Sequence, residues 1–428
     1  MSSKEGTYQL WCVVFLNFGM LGYFKYLGTI LSCFSIDFGI LLPLGISFYI
    51  FQSIGYLVDV YYGKHEVEGN FARYMLFVSW FPQMIQGPIN RYSAIQNELY
   101  GEHEWDTENA IKAFYRIGYG LLKKYAIANV FSGMIVNIVD NPVMDYSGGI
   151  VIAGILMYSL QQYADFSGGI DMVLGVSELF GIHMMDNFRQ PYFAISLADF
   201  WRRWHISLGK WMRDYVFYPF VLTSPMKKLG KWAKNKLGKH LGRVLPAVVG
   251  NLLVFSLVGI WHGAELHYIL WGLYNGAIIA LSDVCAPLYA KAIEVLHINT
   301  KSWWYRVFQI ARTFFVVNIG WFFDRISDVK VALYSMKKAF LDINIAAITD
   351  EWTVVSDGYP TYLLAVAVIT SVVVCVVSIL RENGKDVRQM IYQSPMVVRW
   401  GVCLFVMGLF LFANSSSMGV GGFMYANF

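Results

Sequence analysis

Residues 199–219 read DFWRRWHISLGKWMRDYVFYP, a block in which charge is concentrated between long apolar runs. At helical spacing Trp201, Trp204, Leu208, Trp211 and Tyr215 form one apolar stripe, and Arg203, Ser207, Lys210 and Asp214 form the opposite face. That pattern predicts an interfacial helix over about 197–218, held at headgroup depth by Trp and Arg. His205 is one turn from both Trp201 and Leu208, so its ring is expected on the aromatic side. It is either a packed aromatic or a titratable group with a task.

The remaining chain sets the context. Of 428 residues, 57% are hydrophobic, 17% aromatic and only 14% charged, and the mean hydropathy is +0.47. A soluble protein is about half apolar and about a quarter charged, so the chain reads as an integral membrane protein. The net charge of +4 is small and its basic residues cluster between apolar runs, which points to membrane orientation and away from nucleic acid. The five cysteines are scattered singly without zinc spacing. The first apolar run follows MSSKEGTYQLW, which has no basic n-region or cleavage site, so it is expected to be a retained span.

Stretches near the roughly 20 residues that cross a bilayer lie at 8–27, 38–62, 71–88, 111–138, 147–164, 244–262, 265–283, 303–323, 361–380 and 396–414. The expected class is all-α and multi-pass, with about 9–11 membrane helices in one continuous domain over 1–428. Gly and Pro interrupt several spans, as at Pro43-Leu44-Gly45 and Gly87-Pro88. Such breaks survive in lipid where protein or a cavity satisfies the freed backbone, so a cavity is expected. Residues 226–243, MKKLGKWAKNKLGKHLGR, contain seven Lys or Arg and no acid, and read as a cytoplasmic loop. From there His262 falls deep in the membrane or toward the outer side, and the C-terminus falls outside. Neither a 20–50-residue period nor a pair of inverted halves is evident, which counts against a secondary transporter.

Two further stretches can carry chemistry. VGIWHGA, residues 258–264, places His262 inside an apolar span. An intramembrane ionisable residue is a functional candidate, balanced against a histidine hydrogen-bonded between helices. QQYADFSGG, residues 161–169, sets Asp165 and Ser167 beside a glycine pair, where a capped helix break would use one of them to bond the next helix's first amides. His262 and His267 are separated by about 140° on a helix and do not form the H-E-x-x-H arrangement, so no metal is expected. Walker, G-x-S-x-G and heptad patterns are absent from the sequence.

Together, DFWRRWHISLGKWMRDYVFYP, GIWHGAELHYILWGLYNG, QQYADFSGGIDM and LPLGISFYIFQSIGYLVDVY resemble the membrane-bound O-acyltransferase family. The likeness is to its bacterial polysaccharide O-acetyltransferase branch, with D-alanyl transfer to teichoic acid close by. It runs from about residue 16 to 428, includes GLLKKYAIAN and TFFVVNIGWFFDR, and departs at the front, where that branch carries additional membrane segments. The resemblance implies a ring of tilted helices around a thinned centre and tunnel, in the bacterial cytoplasmic membrane.

It also implies transfer of an acyl group, foremost acetyl, from a cytoplasmic thioester to hydroxyls of an extracellular or cell-wall polysaccharide. The donor would be acetyl-coenzyme A or an acylated carrier protein acting as cosubstrate, with no bound cofactor, and an extracytoplasmic acyltransferase is the expected partner. D-alanyl transfer to teichoic acid is the alternative, and a proton-coupled transporter or flippase is the alternative from another class. By resemblance His262 is the catalytic histidine, acting as general base, since an imidazole with an ordinary pKa of about 6.5 can take a hydroxyl proton. His205 is the second polar position, polarising the thioester or orienting the acceptor. Trp204 and Trp261 would exclude water, and Arg202, Arg203 and the 226–243 lysines would attract an anionic donor, although basic residues at a membrane also bind headgroups. Asp165 and Ser167 complete the expected substrate-binding set. In the tail 414–428 the ending Phe423-x-Tyr425-x-x-Phe428 resembles a terminal motif of this branch, which implies transient acylation of Tyr425.

Overall fold

A chain this apolar must satisfy its backbone N–H and C=O groups within each segment, and helices do so. The computed structural model describes residues 4–32, 34, 43–84, 86–140, 145–415 and 422. Among these the regular elements are all helical, and the β pairing consists of one isolated antiparallel bridge between Phe188 and Trp204. Among the described residues four helices are long and apolar enough to cross a membrane: Gly6–Gly28, Lys239–His262, Thr361–Glu382 and Met396–Ala413. A fifth candidate is the pair Leu266–Val284 and Ala286–Val295, bent by 55°.

The other expected spans are helical too, but either short, as Ile46–Tyr61, or interrupted by charge, as Thr107–Lys123 and Trp303–Arg325. The expected span 71–88 is not one helix. It ends at Val78, its initial amides capped by the Asn70 side chain, and gives way to the single turn Phe81–Met84 before Gly87-Pro88.

The chain divides into two compact units. One comprises Met1–Asn137, Met157–Asn187 and Trp352–Phe428, and the other Ile138–Leu156 and Phe188–Glu351. In the first unit the helix Thr107–Lys123 begins where the Asp106 carboxylate accepts from the amides of Glu108 and Asn109. It crosses the helix Gly148–Leu179 so closely that a Cβ added at Gly120 would stand 2.6 Å from the carbonyl oxygen of Gly168. The close crossing lets basic side chains from one helix meet acids on the other. Arg116 bonds Asp171 at 3.0 Å and Glu178 at 2.6 Å, and Lys123 bonds Asp171 at 2.6 Å and the Ser167 hydroxyl at 2.8 Å. Leu122, Ala126, Val366, Leu409 and Ala413 form an apolar cluster in the same unit.

In the second unit the basic stretch 226–243 is helical, not a loop. Ser224–Leu237 runs to Gly238, whose φ of 95° turns the chain, and Lys239–His262 follows at once. Ala233 is fully buried while Lys227, Lys228, Lys231, Lys234, Lys236 and Lys239 are exposed. The apolar minority pays for helix formation by packing, which the charge pattern concealed.

The interfacial helix expected over 197–218 is also broken. Leu197–Arg203 stops at Trp204, which is extended because it pairs with Phe188, the amide of Arg189 donating to the carbonyl of Arg203 at 2.9 Å. His205 adopts a left-handed conformation, φ 46°, and caps the helix Ile206–Met212, followed by a wider π turn and Tyr218–Val221. The buried members of the stripe, Trp204, Leu208 and Trp211, do face inward as the pattern requires.

Lys239–His262 and Leu266–Val284 pack through glycines. An ideal Cβ on Gly259 would lie 2.6 Å from the carbonyl oxygen of Tyr268, and the Cα of Gly272 faces that same glycine. Because the obstacle is backbone, no rotamer change relieves it, and Gly259→Ala is expected to destabilise the protein by about 1–3 kcal/mol. Gly209→Ala, with nothing nearer than 3.6 Å, serves as the control. Thermal unfolding of the two variants in one detergent checks this, and equal midpoints would refute the close-packing argument.

Candidate functional site

The break at Trp204-His205, the end of Lys239–His262 and the start of Leu266–Val284 together build a polar-and-aromatic cluster within the second unit. Trp261 and His262 occupy the last turn of their helix, which Gly263 terminates in extended backbone. A side chain at Gly263 would run into the Tyr268 ring, 2.6 Å from its Cδ2, so glycine here is a matter of space. The next helix then presents Tyr268, Trp271 and Asn275 at steps of three and four, on one face.

His262 is 6% exposed and is enclosed by three rings. Its centroid lies 5.0 Å from that of Trp261, 4.9 Å from Trp271 edge-on, and 5.9 Å from Tyr268, against which it stacks. On its other side Trp261 lies 6.2 Å from His205. One indole therefore borders both histidines. Trp201 extends the cluster by meeting Trp271 edge to face at 5.4 Å and donating its indole N–H to Asn275 Oδ1 at 3.0 Å, while Asn275 Nδ2 donates to the carbonyl of Trp271 at 2.9 Å. Asn275, itself anchored to the backbone of its own helix, thus fixes the Trp201 indole.

Burial sets the electrostatics. His205 is pushed down to about 3 from the ordinary 6.5 by loss of solvent, so its ring is neutral throughout the physiological range. His267 faces elsewhere, with Nδ1 donating to the carbonyl of Phe323 at 2.8 Å. Among the described residues no three His, Cys, Asp or Glu side chains converge in a metal-binding group. A buried imidazole walled by indoles can accept a proton from a hydroxyl while the rings keep bulk water from a reactive acyl carbon.

The other candidates from sequence fall in different places. Trp204 belongs to a second aromatic group, 5.4 Å from Phe200, 5.6 Å from Trp321 and 5.0 Å from Phe188. Its surroundings brace the chain break, whereas the indoles packed against His262 are those of Trp261 and Trp271. Arg203 is bound to Asp199 at 3.0 Å, an i,i+4 pair on its own helix, and Arg202 is largely exposed at 3.5 Å from the same carboxylate.

Asp165 and Ser167 belong to the first unit and do not cap a break, because Gly148–Leu179 is continuous through them. Asp165 forms a buried ion pair with Lys124, Ser167 accepts from Lys123, and Lys124 also donates to the carbonyl of Gly422 at 2.9 Å. Tyr425 lies outside the described residues, as does the tail 414–428 apart from 414, 415 and 422. Tyr268, Trp271 and Asn275 join the cluster although their residue types alone do not single them out. Their signal was the i, i+3, i+7 spacing inside GIWHGAELHYILWGLYNG.

Residues 67–319, which include both histidines, match the model of the membrane-bound O-acyltransferase family. The chain is 32% identical to a probable alginate O-acetylase of Pseudomonas syringae pv. tomato over 339 residues, 76% of this chain and 59% of that protein. It is 28% identical to a peptidoglycan O-acetyltransferase of Helicobacter pylori, covering 98% of this chain and 82% of the relative. With a teichoic acid D-alanyltransferase of Bacillus subtilis it shares 30% identity over 65% of this chain and 67% of the other. The chain spans about three fifths of the length of the alginate O-acetylase it matches.

The depressed His205 titration predicts a pH dependence of stability. Below 6.5 the unfolded chain takes up a proton at this residue while the folded chain does not, so the group's contribution is lost as pH falls from about 6.5 toward 3. His205→Asn, whose side chain tolerates the left-handed backbone, should lose stability less steeply over that window. Parallel slopes for parent and variant would show that His205 is not held neutral by burial.

Proposed function

The chain belongs to the membrane-bound O-acyltransferase family, and we propose that it moves an acyl group, foremost acetyl, from a thioester donor to hydroxyls of an extracellular or cell-wall polysaccharide, with His262 as general base. The observation that carries the reading is a buried histidine ringed by Trp261, Trp271 and Tyr268, beside a second, neutral histidine, within the matched region. His262 takes the proton of the Tyr425 hydroxyl, the first acceptor, as its oxygen attacks the thioester carbonyl, and a polymer hydroxyl later displaces the phenol from the acyl-Tyr425 ester. The C–O bond forms, the C–S bond breaks, and the proton passes to the departing thiolate. His205, as a neutral ring, is suited to orienting the acceptor or donating one N–H to the carbonyl oxygen.

Acetyl is favoured over D-alanyl because the peptidoglycan O-acetyltransferase covers nearly the whole of this chain, whereas the D-alanyltransferase covers about two thirds. The exposed lysines of Ser224–Leu237 are suited to attracting an anionic donor, coenzyme A or an acidic carrier protein, from the cytoplasm. An extracytoplasmic acyltransferase would complete delivery to the polymer. The protein would act in the bacterial cytoplasmic membrane.

His262→Gln should lower acyl transfer by a factor of about 10² to 10⁴ while leaving the protein inserted and its thermal midpoint nearly unchanged. Membranes containing the variant, supplied with radiolabelled acetyl-coenzyme A, give the rate, and parental activity in well-folded His262→Gln would overturn the assignment.

The relay through Tyr425 carries its own test. After incubation with donor, mass analysis of the C-terminal peptide should show an added acyl group, and Tyr425→Phe should abolish both that adduct and polymer acylation. An unmodified tail with full activity in Tyr425→Phe would leave the acceptor to collect the acyl group directly.

A further inference from the structure

Within the first unit the helices Thr107–Lys123, Thr361–Glu382, Val387–Gln393 and Met396–Ala413 enclose a cavity of about 340 Å³. Its walls are mostly apolar, with Leu121, Val377, Val406 and Phe410 among them, and it is open along exposed Phe114 and Met407. The polarity is confined to one end. Arg381 is in the last turn of its helix, Arg388 is on the short helix that follows, and both line the cavity together with Arg116 and Tyr115. Arg399, in the first turn of the last helix, donates to the Tyr115 hydroxyl at 3.3 Å.

These arginines are not equally committed. Arg116 and Arg388 bond Glu178, whereas the guanidinium groups of Arg381 and Arg399 lie over the rings of Tyr119 and Tyr392 at 5.8 and 5.1 Å. An arginine on an aromatic face keeps its N–H edges available to a second partner. The connection between the two membrane-crossing helices, residues 381–399, holds four basic residues against two acidic ones, which by the positive-inside tendency places this end at the cytoplasmic leaflet. That leaflet carries anionic lipids, and basic pockets between membrane helices recognise their headgroups.

We propose that this cavity is a binding site for an anionic phospholipid, whose phosphodiester is held by Arg381 and Arg399 while one acyl chain lies along Leu121, Val377, Val406 and Phe410. A guanidinium pairs with phosphate through two parallel N–H···O bonds, which a zwitterionic headgroup partly neutralises through its own ammonium. The occupant follows from that pairing of a cationic end with an apolar throat. The inference is independent of the acyl-transfer reading, since none of its residues belongs to the histidine cluster.

The full-length protein is transferred from detergent into bilayer discs of phosphatidylcholine with or without a quarter phosphatidylglycerol, and both its thermal midpoint and the lipids retained after gentle extraction are measured. Phosphatidylglycerol should raise the midpoint and be retained in preference to phosphatidylcholine. Arg381→Gln with Arg399→Gln, which removes no salt bridge found among the described residues, should weaken that preference by about fivefold per arginine. Val406→Trp, which fills the apolar throat, should weaken retention with the charges intact. Equal retention of the two lipids by the parent, or full preference in both variants, would overturn the site. Displacement of phosphatidylglycerol by millimolar coenzyme A would overturn it too, by making the cavity a site for a soluble phosphate ligand.

Discussion

The close approach of Lys239–His262 to Leu266–Val284 is the constraint on which the histidine cluster depends. Where Gly259 faces Gly272 the two backbones are nearly in contact, and only that separation sets Trp271 within 5 Å of His262. In hydrocarbon there is little hydrophobic gain from bringing helices together, so close packing and hydrogen bonds must hold them. The glycines supply the packing, and Asn275 ties the second of these helices to Leu197–Arg203 through the Trp201 indole. A larger residue at either glycine would meet backbone, push the two helices apart and carry the rings with them.

Much of this was legible in sequence because the bilayer simplifies the reading. Long apolar runs became helices, with bounds close to those expected, and His262 was conspicuous as an ionisable residue within one of them. The reading failed where a distant segment decides local geometry. Nothing in DFWRRWHISLG signals that Trp204 will pair with Phe188, and without that pairing the helical stripe would run unbroken through His205. The basic stretch from 226 to 243 misled for a related reason, since charge density suggested a loop while one buried alanine face sufficed to hold a helix.

Asp165 and Ser167 show the opposite error. They were conspicuous because polar groups in an apolar run need partners, and the local partner, a helix start, was the obvious one. The structure supplies lysines from a helix some forty residues earlier. Sequence distance hid the pairing, although Lys123 and Lys124 stood in an apolar run of their own and posed the same question.

That pairing bears on how the protein is made. A charged side chain at the centre of a lone membrane helix costs about 2.5–3.5 kcal/mol on insertion scales, and the helix Thr107–Lys123 and its continuation carry Arg116, Lys123 and Lys124, against Asp165, Asp171 and Glu178 on Gly148–Leu179. Emerging from the ribosome, the first of these helices has no counter-charge until the second has been synthesised. The charges of the two helices cancel only when both are present, so the pair is expected to settle at the membrane together and not one helix at a time.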